Sequence, residues 1–295
     1  MKKVVRMLGL CALVALAFTS CKKNETNSVT FKASMPQTIS DSRTHINQSN
    51  WVVWDDGNQI TVFNNDGSAY IEPVLENRDL TNATFKGDAN FLANIETPNQ
   101  YTAFYPVDDN DGTNITFDIP AQQSYVEDSF EDNLYPMYAT NNNTGGTNFQ
   151  FKSQAGLLTI PVKMGQDATH AYTIKRIVVT ATDNTAELYG KMTYNYAAPY
   201  AALPTYSRSD TGYEVELINC DAQGALTTDA RFFNFVLLEG CLQGENSFIL
   251  TLYDENDQVI PIYNDYDELV SPLYGGTPYG IEAQMRTTMN HLVLK

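Results

Sequence analysis

The residue types that most often carry catalysis or hold metals are few in this chain, and they are scattered. His45, His170 and His291 stand far apart. No HExxH or comparable spacing links them, so no zinc site is expected. GxSxG, the P-loop and the dinucleotide fingerprint are absent; the sequence offers no catalytic residue and implies no cofactor. The DDNDG stretch at 108–112 invites a calcium reading. With Gly112 at the glycine of an EF-hand loop, Val107 falls where an aspartate is required. NNDG at 64–67 fails in the same way at Val62. Turn acidity explains both stretches. Paired carboxylates are too plentiful to point to a glycosidase pair. Tyr194, Tyr196, Tyr200 and Tyr206 suit either a sugar-stacking platform or half-buried sheet positions, and the second reading comes first.

Cysteine chemistry is more specific. Residues 1–20 combine a basic start at Lys2, Lys3 and Arg6 with an apolar run too short for a stop-transfer helix. They read as an export signal. Phe18-Thr19-Ser20-Cys21 resembles the bacterial lipobox, with Phe18 where leucine is more usual. That resemblance implies lipid attachment at Cys21, and residues 21–27 form a polar tether. Cys220 and Cys241 are the cysteines of the folded part. They can form one disulfide in an envelope compartment or remain two buried thiols, and sequence does not supply the Cβ geometry that decides. The formal charge of -17, with no basic patch, disfavours nucleic acid and anionic lipid surfaces.

The elements that position these residues are short alternating runs, the signature of half-buried antiparallel strands. VTFKASM at 29–35 alternates Val29, Phe31, Ala33 and Met35 with polar residues. Further runs include QITVF, YTAFYP, NITFDIP, GLLTIPV, KRIVVTAT, FNFVLL and HLVLK, each bounded by turn formers. A short helical turn fits somewhere in 125–137. The polar, glycine-bearing stretch 141–148 is the best boundary. It divides the chain into an N-terminal β-sandwich at 28–148, with 28–43 as a separable segment, and a C-terminal one at 149–295.

In that order, VTFKASM, SRTHIN, WVVWDDGNQITVF, TFKGDANF, YTAFYP, ITFDIPAQQ and FKSQAGLLTIPV make the chain similar to fimbrillins, the type V pilus subunits of Bacteroidales. The most recognisable piece is carried by Arg43, Thr44, Trp54, Gly57, Ile60, Val62 and Phe63. The resemblance implies an all-β fold of two transthyretin-like antiparallel β-sandwich domains in series. It implies export as a lipoprotein to the outer-membrane surface. There an arginine-specific protease cuts after Arg43, leaving Thr44 as the new N-terminus. The removed strand would take Val29, Phe31, Ala33 and Met35 with it, and another pilus subunit would fill the gap by strand exchange.

On physical grounds, the emptied sandwich is expected to present an apolar slot with one unpaired edge, avid for another strand. The C-terminal run places Met285, Met289 and Val293 on one face, as a donor or a closing strand, with Leu292 and Leu294 on the other. Host or bacterial surface ligands are further partners of an adhesive subunit. The alternative reading is a permanently lipid-anchored protein that binds surface glycans.

Overall fold

The computed structural model describes residues 28–35, 45–46, 52–64, 70–79, 82–88, 101–111, 114–141, 146–195, 206–263, 269–270, 273–277, 280–283 and 286–295, with residues 45–46 and 52–53 as backbone. The fold is an all-β sandwich of mostly antiparallel sheets. Among the described residues the one helical piece is a 3-10 turn at Cys220–Gln223. The stretch 125–137, where a helical turn was expected, holds turns, bends and irregular chain up to the strand that opens at Met137, with no helix.

Two hydrophobic clusters organise the molecule. The first sheet runs Asn148–Gln150, Ser28–Ser34, Asn82–Asp88, Val74–Asp79. A second runs Lys152–Ser153, Met137–Asn141, Tyr101–Tyr105, Thr61–Phe63, Tyr70–Ile71. Their inward side chains, including Phe31, Phe85, Tyr101 and Phe104, form the first cluster. Trp54 is fully buried there and meets the ring edges or faces of Phe85, Tyr105 and Phe151 at 5.0, 5.2 and 5.4 Å. The turn after it needs Gly57, at φ 88°, a conformation that costs glycine little. Asn58 closes the turn by accepting from the Asp55 amide at 2.6 Å. The WDDGNQITVF signature is thus a core-building device.

The long strand Ala155–Met164 separates the clusters. Ala155 and Leu157 belong to the first, while Leu158, Ile160 and Val162 belong to the second. Successive strand residues point to opposite faces, so a strand buried on both faces reads as a continuous apolar run. Arg231–Leu238, its antiparallel neighbour, behaves likewise: Val236 and Leu238 face one cluster, Phe235 and Leu237 the other.

The expected boundary at 148/149 does not coincide with the division between clusters. Phe149 and Phe151 pack in the first. Strand Asn114–Ile119 pairs with Tyr189–Asn195, far along the chain. Tertiary pairing, not the polar run at 141–148, decides which residues share a core.

Candidate functional site: the N-terminal strand

The strand Ser28–Ser34 follows its sequence pattern closely. Val29, Phe31, Ala33 and Met35 are buried, at 6%, 0%, 3% and 2% exposure, and Thr30 and Lys32 face solvent. The strand occupies an interior position in its sheet. It pairs antiparallel with Asn82–Asp88 from Ser28↔Asp88 to Ser34↔Asn82, and parallel with Asn148–Gln150 from Lys32↔Asn148 to Ser34↔Gln150. The Lys32 amide donates to the Thr147 carbonyl at 2.8 Å, and the Phe151 amide donates to the Ser34 carbonyl at 2.9 Å.

This corrects one expectation. Withdrawing the strand exposes two unpaired ladders, not one, because it has a neighbour on each side. The flanking strands would stand about 9.6 Å apart, two strand spacings, which is room for one strand. Among the described residues, Asn148–Gln150 has no other neighbour in that sheet.

The floor of this slot is aromatic. Phe31 lies edge-on to Tyr101 at 6.2 Å and stacks on Phe149 at 5.8 Å. Burying Val29, Phe31 and Met35 stabilises the fold by about 1.5–3 kcal/mol each, so the strand contributes on the order of 5–9 kcal/mol before its backbone bonds are counted. A domain's whole stability is about 5–15 kcal/mol. An emptied slot is therefore close to unfolding unless refilled.

The C-terminal segment sits differently. Arg286–Thr288 and Leu292–Leu294 lie parallel to Ala155–Met164, at its edge. Leu294 is fully buried and Leu292 nearly so, while Val293 and Met289 are half-buried. The buried face is thus Leu292 and Leu294, the face opposite to that of Val293. Met285 lies outside the described residues. The segment is keyed by polar contacts: Arg286 Nε donates to Thr159 Oγ1 at 2.6 Å, Thr159 donates to Asn234 Oδ1 at 2.6 Å, and Asn234 Nδ2 donates to the Ser129 carbonyl at 2.8 Å. Gly156 is required where this segment approaches, since a Cβ there would lie 2.5 Å from the Glu282 carbonyl oxygen.

No family model matches the chain, and no curated protein does. Solved structures do. One, named provisionally as a cell adhesion protein from Bacteroides uniformis, is 17% identical, with 89% of this chain and 93% of that chain covered, at a TM-score of 0.47. A second provisional cell adhesion protein, from Bacteroides ovatus, is 13% identical, covering 92% of this chain and 95% of that one, at 0.49. The tip fimbrial protein Mfa3 of Porphyromonas gingivalis, C-terminally truncated, is 12% identical, with 90% and 95% covered, at 0.35. The three are named as cell adhesion or fimbrial proteins.

The remaining sequence candidates fall into place individually. Cys21, Arg43 and Thr44 lie outside the described residues, as do Tyr196 and Tyr200. Tyr194 does not belong to a stacking platform: it is 1% exposed, packed between Phe104 and Phe117, with its hydroxyl donating to Gln154. Tyr206 is half-buried and donates to Glu239.

Cys220 and Cys241 are free buried thiols, not a disulfide. Cys220 Sγ donates to the Leu217 carbonyl at 3.3 Å. Burial pushes both thiols up, Cys241 to about 12, against deprotonation and reaction. Around DDNDG, Asp108 Oδ2 accepts from the Asp118 amide and the Asp111 carboxylate accepts from Asn114, so these acids serve the hairpin.

Two features escaped sequence reading. The strand Asn148–Gln150 hides in a polar run, signalled only by the alternation of Phe149 and Phe151. The Thr159–Asn234 pair is a buried polar contact between residues distant in sequence.

Proposed function

We propose that this chain is a structural or adhesive subunit of a cell-surface fimbria. It is exported as a lipoprotein anchored through Cys21 at the outer membrane, then assembled by strand exchange once its N-terminal strand has been removed after Arg43. The observation that carries this reading is the interior position of Ser28–Ser34, paired on both sides and burying one face of alternating side chains. A strand there is a plug: its loss leaves a slot of one strand's width with an apolar floor and two unpaired ladders. Another strand of the same alternation can supply both kinds of contact, with backbone bonds giving affinity and side-chain pockets giving specificity.

The covalent order of the chain supports the reading. The plug lies between Cys21 and Arg43, so one cut frees it from the rest of the fold together with the lipid. Catalysis plays no part in this account. Mass spectrometry of the mature N-terminus in surface-assembled material is the test. A terminus at Thr44 is expected, and acylated Cys21 retained in assembled fibres overturns the proposal.

A further inference from the structure

The polar residues of the WDDGNQITVF signature do more than turn the chain. Asp55, Asp56, Asn58, Gln59 and Thr61 line one side of a cavity of about 400 Å³, within the roughly 300–1,000 Å³ range of ligand sites. Glu72, Pro106, Val107, Asp108, Asp132 and Asn133 complete its walls. Tyr105, which also lines it, is buried. Its hydroxyl accepts from Asn58 Nδ2 and donates to Asn133 Oδ1, both at 3.0 Å. Burial, with the charges of Asp55 and Asp132 beside it, pushes that hydroxyl up, so it stays protonated.

Five carboxylates line the cavity, and among the described residues no lysine, arginine or histidine does. Arg78 serves two of the five. Its guanidinium meets Asp55 at 3.0 Å and Asp56 at 3.3 Å, and it also donates to the Trp54 carbonyl. Glu72 accepts from the Gln59 side chain at 3.5 Å, and Asp108 from the Asp118 amide at 2.5 Å. Asp132 has no hydrogen bond or ion pair with a described residue. Glu72, Asp108 and Asp132 thus line the cavity without a cation.

A second observation is independent of charge. Thr61 is 3% exposed, yet its hydroxyl bonds to no described residue. That hydroxyl is not sealed within protein, so it opens onto the cavity that the residue lines. Buried polar groups are ordinarily hydrogen-bonded, and a partner inside the cavity would complete this one.

The ligand's chemistry follows from these walls. Positive charge is needed opposite Glu72, Asp108 and Asp132. Among the described residues no three Asp, Glu, His or Cys side chains gather closely enough to hold a metal ion, so the charge belongs on an organic cation. An ammonium group brings N–H donors and no acceptor to a lining rich in acceptors. Pro106 and Val107 are the aliphatic part of the described lining, too little to cover a lysine's methylene stem. Hydroxyls on the ligand instead suit Thr61, Gln59 and Asn133.

We propose that this cavity binds an amino sugar through its free ammonium group, with the carboxylates around the charge and the Thr61 hydroxyl on the ligand. Every residue of the site lies outside Ser28–Ser34, so it stands whether or not strands are exchanged.

The test is an amide chemical-shift titration of the purified, isotope-labelled chain with its N-terminal strand in place. The probes are glucosamine, galactosamine and deacetylated chitotriose, in mildly acidic buffer at fixed ionic strength. At least one should shift the amides of residues 58–63 saturably. N-acetylglucosamine, which keeps the hydroxyls and loses the charge, should not. Thr61→Val keeps the side chain's shape and removes the hydroxyl. It should weaken binding about tenfold without lowering the urea midpoint. Should it misfold, Glu72→Gln/Asp132→Asn, both at exposed positions, is held to the same loss. Asp229→Asn/Glu245→Gln, exposed elsewhere, should leave binding unchanged. The proposal is overturned if no amino sugar saturates the shifts, if N-acetylglucosamine matches them, or if only calcium or Nα-acetyl-lysine amide produces them. Undiminished binding by a folded Thr61→Val chain, or equal weakening by the Asp229/Glu245 pair, overturns it too.

Discussion

The two ends of the fold are closed by strands held by different means, one of seven residues at the N-terminal end and two of three residues each at the C-terminal end. The N-terminal strand lies inside its sheet, bonded on both sides, with Val29, Phe31, Ala33 and Met35 buried in alternation. No polar side chain on its inward face keys it to the core. The C-terminal strands lie on one edge of Ala155–Met164 and are keyed through Arg286, Thr159 and Asn234. The first kind of fit is generic, because any strand with apolar residues at alternate positions can satisfy it. The second is particular, because it demands an arginine at one register. A buried polar contact fixes register where apolar packing alone tolerates substitutes. A site meant to exchange strands would be built like the first.

Substitutions break or sharpen this contrast. Phe31→Ala removes a fully buried ring from the slot floor and should cost about 3–5 kcal/mol, read as a lowered urea midpoint. Thr30→Ala, one residue away on the solvent face, should change stability by less than about 0.5 kcal/mol. Equal effects at the two positions would contradict one-faced burial. Thr159→Val at the other end keeps the side chain's shape but removes the donor to Asn234 Oδ1. It should cost about 1–3 kcal/mol, and it should loosen amide-exchange protection over Arg286–Thr288 more than over Ser28–Ser34. Uniform loosening of both segments would mean that the polar chain does not key the C-terminal segment in particular.

Much of the N-terminal site was legible in the sequence because period-two alternation is a local property. VTFKASM shows which residues face inward before any partner is known. The partners were not legible. The second neighbour at Asn148–Gln150 is three residues long and sits in a polar run, so the slot reads from sequence as open on one side. Tyr194 looks like a surface tyrosine near APYAALP until pairing with Asn114–Ile119 places it in the core. Trp54 and Gly57 were recognisable as a pattern, but their role, a hub of rings and a left-handed turn, depends on Phe85, Tyr105 and Phe151 arriving from elsewhere. Long-range pairing decides these cases, and it leaves no local mark.

The central claim is that the N-terminal strand is a replaceable plug. The most direct measurement cuts the folded full chain after Arg43 with an arginine-specific protease. The freed segment is then removed in mild denaturant, and urea unfolding is followed with and without a synthetic peptide of residues 28–35. The account predicts a strongly lowered midpoint for the emptied chain. The peptide should restore it, and the same peptide carrying Phe31→Asp should not. An emptied chain that keeps the uncut midpoint, or one that ignores the peptide, would contradict it.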